Sequence, residues 1–215
     1  MVNNNSFIIG VVFTSLWLSG CSIINPKPSP AIDVYTLSQE MEQAQQAPSD
    51  MNNRHARILA LSPIRSPQGL MSTGIIYRDV DYGFNSYAYS RWSDSPNKLL
   101  SNYFQQYLTQ SQHISAVIPV GSKIDADLLL EATLVDFSHH LETNVASTTA
   151  VVSIIFYLIN AEDKTLLATK QFIEKVPVEK QNAKDATISI NHATKLVTLA
   201  LQKWLETNIA SLPQK

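Results

Sequence analysis

Three stretches decide the fold: ADLLLEATLVDFSHH (126–140), VASTTAVVSIIFYLI (145–159) and LLATKQFIEKV (166–176). Each is rich in β-branched and aromatic residues, the types that pack well on a pleated surface. Asn160 to Lys164 supplies turn chemistry between the last two, so the three strands read as an antiparallel meander. Within Ala150 to Ile159 both alternating sets are apolar, which requires cover on both faces of that strand.

Amphipathic helices flank the meander in sequence. Upstream, Ser95-Pro96 offers an N-cap hydroxyl followed by proline at the first helical position, where a missing N–H costs nothing. Leu99, Leu100, Tyr103, Phe104, Tyr107 and Leu108 then recur at three- and four-residue steps, predicting a helix to about Ser111 with one apolar face. Downstream, Ile190, Ala193, Val197, Ala200, Leu201, Trp204 and Leu205 predict a long closing helix over Ala183 to Ala210. Before the first helix, short strands are expected at Asp33 to Leu37, Ala56 to Ser62, Gly74 to Arg78 and Ser86 to Trp92, the last two forming a hairpin. Ser38 to Asn53 is polar and reads as an exposed loop or frayed helix. The class is α+β, a mostly antiparallel sheet with two principal helices packed on one face. The hairpin is the expected cover for the other face, with a neighbouring protomer or a partner as alternatives.

Charge and composition exclude several functions. The 215 residues carry a formal net charge of −2, and only 16% are charged against 45% hydrophobic, as in a globular domain. No Lys/Arg run provides the electrostatic footprint of nucleic-acid binding, so nucleic acid is excluded as a partner. The single cysteine, Cys21, permits no internal disulfide and no cysteine-built metal site.

That cysteine follows an uncharged apolar run, Phe7 to Leu18. As a helix this run spans about 18 Å, against a hydrocarbon core of ~30 Å, so it reads as a secretory signal rather than a membrane span. Leu18-Ser19-Gly20-Cys21 resembles the bacterial lipobox, although Met1 to Asn5 lacks the usual Lys or Arg. Residues 1–20 are therefore expected to be a cleaved signal peptide, with Cys21 the lipidation site. Residues 21–32 form a tether in which Pro26, Pro28 and Pro30 favour extended chain, giving a stalk of about 30 Å. Residues 33–215 form the folded domain. Two or three acyl chains on one cysteine hold a protein on a bilayer for long times.

The order of motifs resembles the ABC-type transport auxiliary lipoproteins, the PqiC-like intermembrane transport family. The resemblance rests on the lipobox, Tyr35 and Leu37, Leu59-x-Leu61-x-Pro63-Ile64, Pro67 and Leu70, Tyr77-Arg78, Arg91-Trp92 before the proline-started helix, and Trp204-Leu205 near the end. It implies a non-catalytic adaptor that tethers a periplasmic MCE-domain protein of a lipid-transport system, anchored on the periplasmic face of the outer membrane. Ser22, where aspartate would signal inner-membrane retention, is part of that implication. A homo-oligomer is compatible with docking to a symmetric conduit. A carrier of lipid or another apolar ligand, and an assembly factor or pilotin for another outer-membrane machine, are the competing readings.

For partner binding the candidates are Arg91, Trp92, Tyr77 and Arg78, since Arg, Trp and Tyr are enriched at interface hot spots. Trp92 packing under the helix is the structural alternative. Tyr82, Phe84, Tyr87 and Tyr89 surround the hairpin turn and could dock a partner or join the core. His139 and His140 are consecutive on a strand, point to opposite faces and cannot chelate one ion. His55, His113 and His192 are isolated. Asp125 and Asp127 suit a solvated turn better than paired acid–base catalysis. No nucleophile elbow, phosphate-cradling loop or zinc motif is present. No catalytic residue, metal site or cofactor is expected beyond the covalent lipid on Cys21.

Overall fold

The computed structural model describes residues 30–38, 56–79, 83–142 and 148–213. In chain order the strands are β1 (Asp33–Tyr35), β2 (Arg57–Leu61), β3 (Gly74–Arg78), β4 (Phe84–Trp92), β5 (Ile114–Pro119), β6 (Leu128–His140), β7 (Thr149–Asn160) and β8 (Leu166–Pro177). The helices are α1 (Pro96–Leu108) and α2 (Ala183–Ala210), with one 3₁₀ turn at Gln68–Leu70. The expected meander β6–β7–β8 is antiparallel along its whole length.

One edge of β6 pairs with β7. The other edge is shared end to end, with β2 pairing parallel at Leu128 to Leu130 and β3 pairing parallel at Ser138 to His140. A single bridge between Arg65 and Thr133 lies between them. β5 adds to β2, and β4 then β1 add to β3, completing one sheet of eight strands. The two long pairings, β6–β7 and β7–β8, are antiparallel, as is β3–β4, and four others (β1–β4, β2–β5, β2–β6, β3–β6) are parallel.

Periodicity explains the core. In β7, Ala150, Val152, Ile154, Phe156 and Leu158 face the helices and are all fully buried. Ring contacts tie both helices to this face. Phe104 of α1 lies 5.5 Å from Phe156, which lies 5.9 Å from Phe172, which lies 6.1 Å from Trp204 of α2. Helix α2 starts at a cap in which the Asn182 side-chain oxygen accepts from the Asp185 N–H at 2.9 Å, satisfying one orphan donor of the first turn. Ser95 is the N-cap residue of α1 with Pro96 next, but its hydroxyl makes no cap bond. Its backbone N–H and hydroxyl both turn to the Asp94 carboxylate, at 2.7 and 3.5 Å.

The hairpin β3–β4 forms as expected, but it extends the sheet edge instead of lying over its second face. Its backbone donors and acceptors are used in the parallel ladder to β6. The second face of β7 is buried at Val151 and Ser153, whereas Ile155 and Tyr157 stay half-buried. At the Gln68–Leu70 turn, Gly69 sits so close to the Phe84 ring that a Cβ there would stand 2.8 Å from it.

Candidate functional site

The four candidate residues are brought to neighbouring strands but part company by face. Trp92 ends β4 with 1% of its surface exposed and packs on Phe137, ring centroids 5.3 Å apart. Its ring is core and offers no surface to a partner. Arg91, one residue earlier, points the other way and is exposed, as strand alternation requires.

Tyr77 and Arg78 divide in the same manner. Tyr77 pairs in register with His139, and its ring lies 5.0 Å from that of Tyr87. The Tyr87 hydroxyl meets His139 Nδ1 at 2.8 Å. His139 is fully buried, and desolvation, with a lesser contribution from His140, pushes its pKa down to about 4. Burial, then Tyr77, pushes Tyr87 up to about 12. At neutral pH the pair is thus a neutral phenol and a neutral imidazole. Either the phenol O–H donates to Nδ1 or Nδ1–H donates to the phenol oxygen, according to the imidazole tautomer.

On the opposite face Arg78 and His140 converge on Asp136. His140 Nε2 lies 2.8 Å from one carboxylate oxygen, and Arg78 lies 3.7 Å from the other, which also accepts from the Ser138 hydroxyl. The Arg78 guanidinium stands 5.2 Å over the Phe84 ring. Asp136 owes its place on this second face to a β-bulge, because the register to β7 shifts between Leu134 and Asp136. Serine, histidine and aspartate meet here, yet serine and histidine both bond to the carboxylate and not to each other. The arrangement lacks the nucleophile–base contact that acyl transfer needs. His139 and His140 do face opposite sides, and no cluster of three metal-ligating side chains occurs among the described residues.

Sequence reading missed an open cleft of about 790 Å³ at the end of the sheet, walled by Ile118, Val120, Ile124, Leu128, Leu167 and Leu212. The end of β5 lines this cleft, and β5 is not among the strands expected from the sequence; it pairs parallel with β2 through a register shift at Arg57/Ile58. Asp127 stands at this end with a structural task. Its carboxylate accepts from Ile58 N–H at 2.8 Å, and its own N–H donates to the Ile58 carbonyl at 2.9 Å. Phe84 and Tyr89 are exposed, 44% and 57%, while Tyr87 is half-buried. Cys21, His55 and Tyr82 lie outside the described residues. No helix among the described residues is long and apolar enough to cross a membrane.

A mostly antiparallel eight-stranded sheet backed by two helices is the class of fold that the described residues build. Residues 35–201 match the family described as ABC-type transport auxiliary lipoprotein component, and the chain belongs to that family. The family is an auxiliary component of transport and not a family of enzymes. The fold is shared with a DUF330 protein of Xanthomonas campestris, 16% identical, TM-score 0.66, covering 83% of this chain and 94% of that one. A second crystal structure, of an uncharacterized protein, is 14% identical with TM-score 0.61, covering 81% of this chain and 99% of that one. The PelC dodecamer of Paraburkholderia phytofirmans is 10% identical with TM-score 0.39, covering 65% of this chain and 86% of that one. Curated proteins gave no match.

Proposed function

We propose that this protein is a lipid-anchored, non-catalytic adaptor on the periplasmic face of the outer membrane, coupling a periplasmic MCE-domain protein to that membrane. Membership of the transport auxiliary lipoprotein family carries the reading. The lipobox at Cys21 supports it from the amino terminus. An adaptor needs a permanent attachment, a spacer and a rigid head. Acyl chains on Cys21, the proline-containing stretch before Ile32 and the helix-backed sheet meet those needs.

Crosslinking in intact cells is expected to trap an MCE-type protein with the full chain. A Cys21→Ala variant is expected to release the domain into the soluble periplasmic fraction and abolish transport. Full transport by that soluble variant would overturn the tether.

The cleft at the end of the sheet supports a second reading, a carrier of an apolar ligand. Its volume of about 790 Å³ falls within the usual range for small-molecule sites. Native mass spectrometry of gently purified protein separates the two, since a carrier retains stoichiometric lipid beyond the covalent anchor.

A further inference from the structure

We infer that the exposed outer face of the β1–β4 edge, formed by Ile32, Val34, Tyr89 and Arg91, rests against the surface of the lipid bilayer. This rests on the reading of Cys21 as the lipid anchor and adds to it the orientation of the folded head.

The pairing register builds the patch. β1 runs parallel to β4 with Val34 opposite Arg91 and Tyr35 opposite Trp92. Trp92 is buried and Tyr35 packs on the core, so that pair faces the helices. Strand alternation turns Val34 and Arg91 the other way, Tyr89 follows two residues back along β4, and Ile32 immediately precedes β1. All four are exposed; Ile32, Val34 and Tyr89 show 55%, 53% and 57% of their surface. The only carboxylate on β1, Asp33, lies on the helix side with Tyr35. Arg91 forms no ion pair among the described residues.

Two arguments select a bilayer as the occupant. The first is where the preceding chain ends. Cys21 lies eleven residues before Ile32, and a fully extended chain covers at most about 40 Å over that length. The patch begins at the residue where the tether enters the fold, so the chain keeps this edge within about 40 Å of the lipid. The second argument is chemical. Aliphatic side chains beside a tyrosine, with an arginine free to meet phosphate, are the composition that settles at headgroup depth. Lys27 in the tether adds a second cation. Overall charge is −2, so attraction must come from this local arrangement and not from the molecule as a whole.

The single native cysteine makes the test direct, because acylation leaves it unreactive to thiol labels. Full-length chain carrying Val34→Cys, or Ile188→Cys on the exposed side of α2 as control, is labelled with a fluorophore. It is then placed in vesicles of phosphatidylethanolamine and phosphatidylglycerol that contain lipid with a nitroxide near the glycerol. The label at position 34 is expected to lose most of its emission while that at 188 keeps it. Adding Arg91→Glu should restore much of the emission at position 34. Equal emission at both positions on acylated protein overturns the inference and leaves the tether standing. Unquenched label at 34, with disulfide-linked dimers of the unlabelled Val34→Cys chain, overturns it in favour of a second copy on this edge. An intact mass without acyl chains on Cys21 overturns the anchor and this orientation together.

Discussion

His139 shows how burial converts a titratable side chain into a structural one. The unfolded chain takes up a proton at this residue near pH 6.5, whereas the folded chain does so only near pH 4. Between those values the unfolded state binds more protons, so the stabilisation is complete above pH 6.5 and drains away as pH falls toward 4. The full span corresponds to about 3 kcal/mol, from 1.36 kcal/mol per pKa unit. Denaturant titrations at pH 7 and pH 4.5 are expected to show a smaller acid loss in a Tyr87→Phe/His139→Phe variant than in the parent chain. The double change avoids stranding the Tyr87 hydroxyl. Arg91 and Trp92, adjacent in sequence, should separate in the same assay. Trp92→Ala empties a fully buried site and should cost about 3–5 kcal/mol. Arg91→Ala at the surface should change stability by less than about 0.5 kcal/mol. A loss of transport in Arg91→Ala would then report on contact with a partner or lipid, while a loss in Trp92→Ala would report on the fold.

Elements are held in place by a few local devices. The Asn182 cap starts α2, and Asn182→Ala should lower stability by about 1 kcal/mol, seen as a lower denaturant midpoint at unchanged slope. Asp127 fastens the start of β6 to β2 across 69 residues of sequence. Asp127→Ala leaves the Ile58 N–H without its acceptor and should cost about 1–3 kcal/mol. Hydrogen exchange at the amides of β2 and β5 is expected to speed up before that of the β7–β8 hairpin. Gly121 follows β5 with a φ of +86°, and a Cβ there would meet nothing within 4 Å. Gly121→Ala should therefore cost only the left-handed backbone penalty, roughly 1–2 kcal/mol, a midpoint shift without a packing defect.

At the scale of the molecule, β6 organises everything else. It receives β7 along one edge and two parallel strands end to end along the other, so the sheet cannot close until residues far apart in sequence have met. Such long-range pairing folds slowly compared with a helical bundle of equal length. Stopped-flow refolding is expected to show the Asp127→Ala variant slowed if β2 docks before the rate-limiting step. If it docks afterwards, faster unfolding should carry the change instead.

The sequence by itself determined the elements of this protein: both helices, the β6–β7–β8 meander, the β3–β4 hairpin and the opposed faces of His139 and His140. Those features follow from periodicity and turn chemistry, which act over a few residues and are written in the order of side chains. Only the tertiary structure decided which strands share an edge of β6, that β5 exists beside β2, that the hairpin extends the sheet, and that Trp92 lies in the core while Arg91 faces outward. Strand pairing is settled by contacts between distant segments, and the alternation that sends one residue inward and its neighbour outward acquires direction only once a sheet has a covered side.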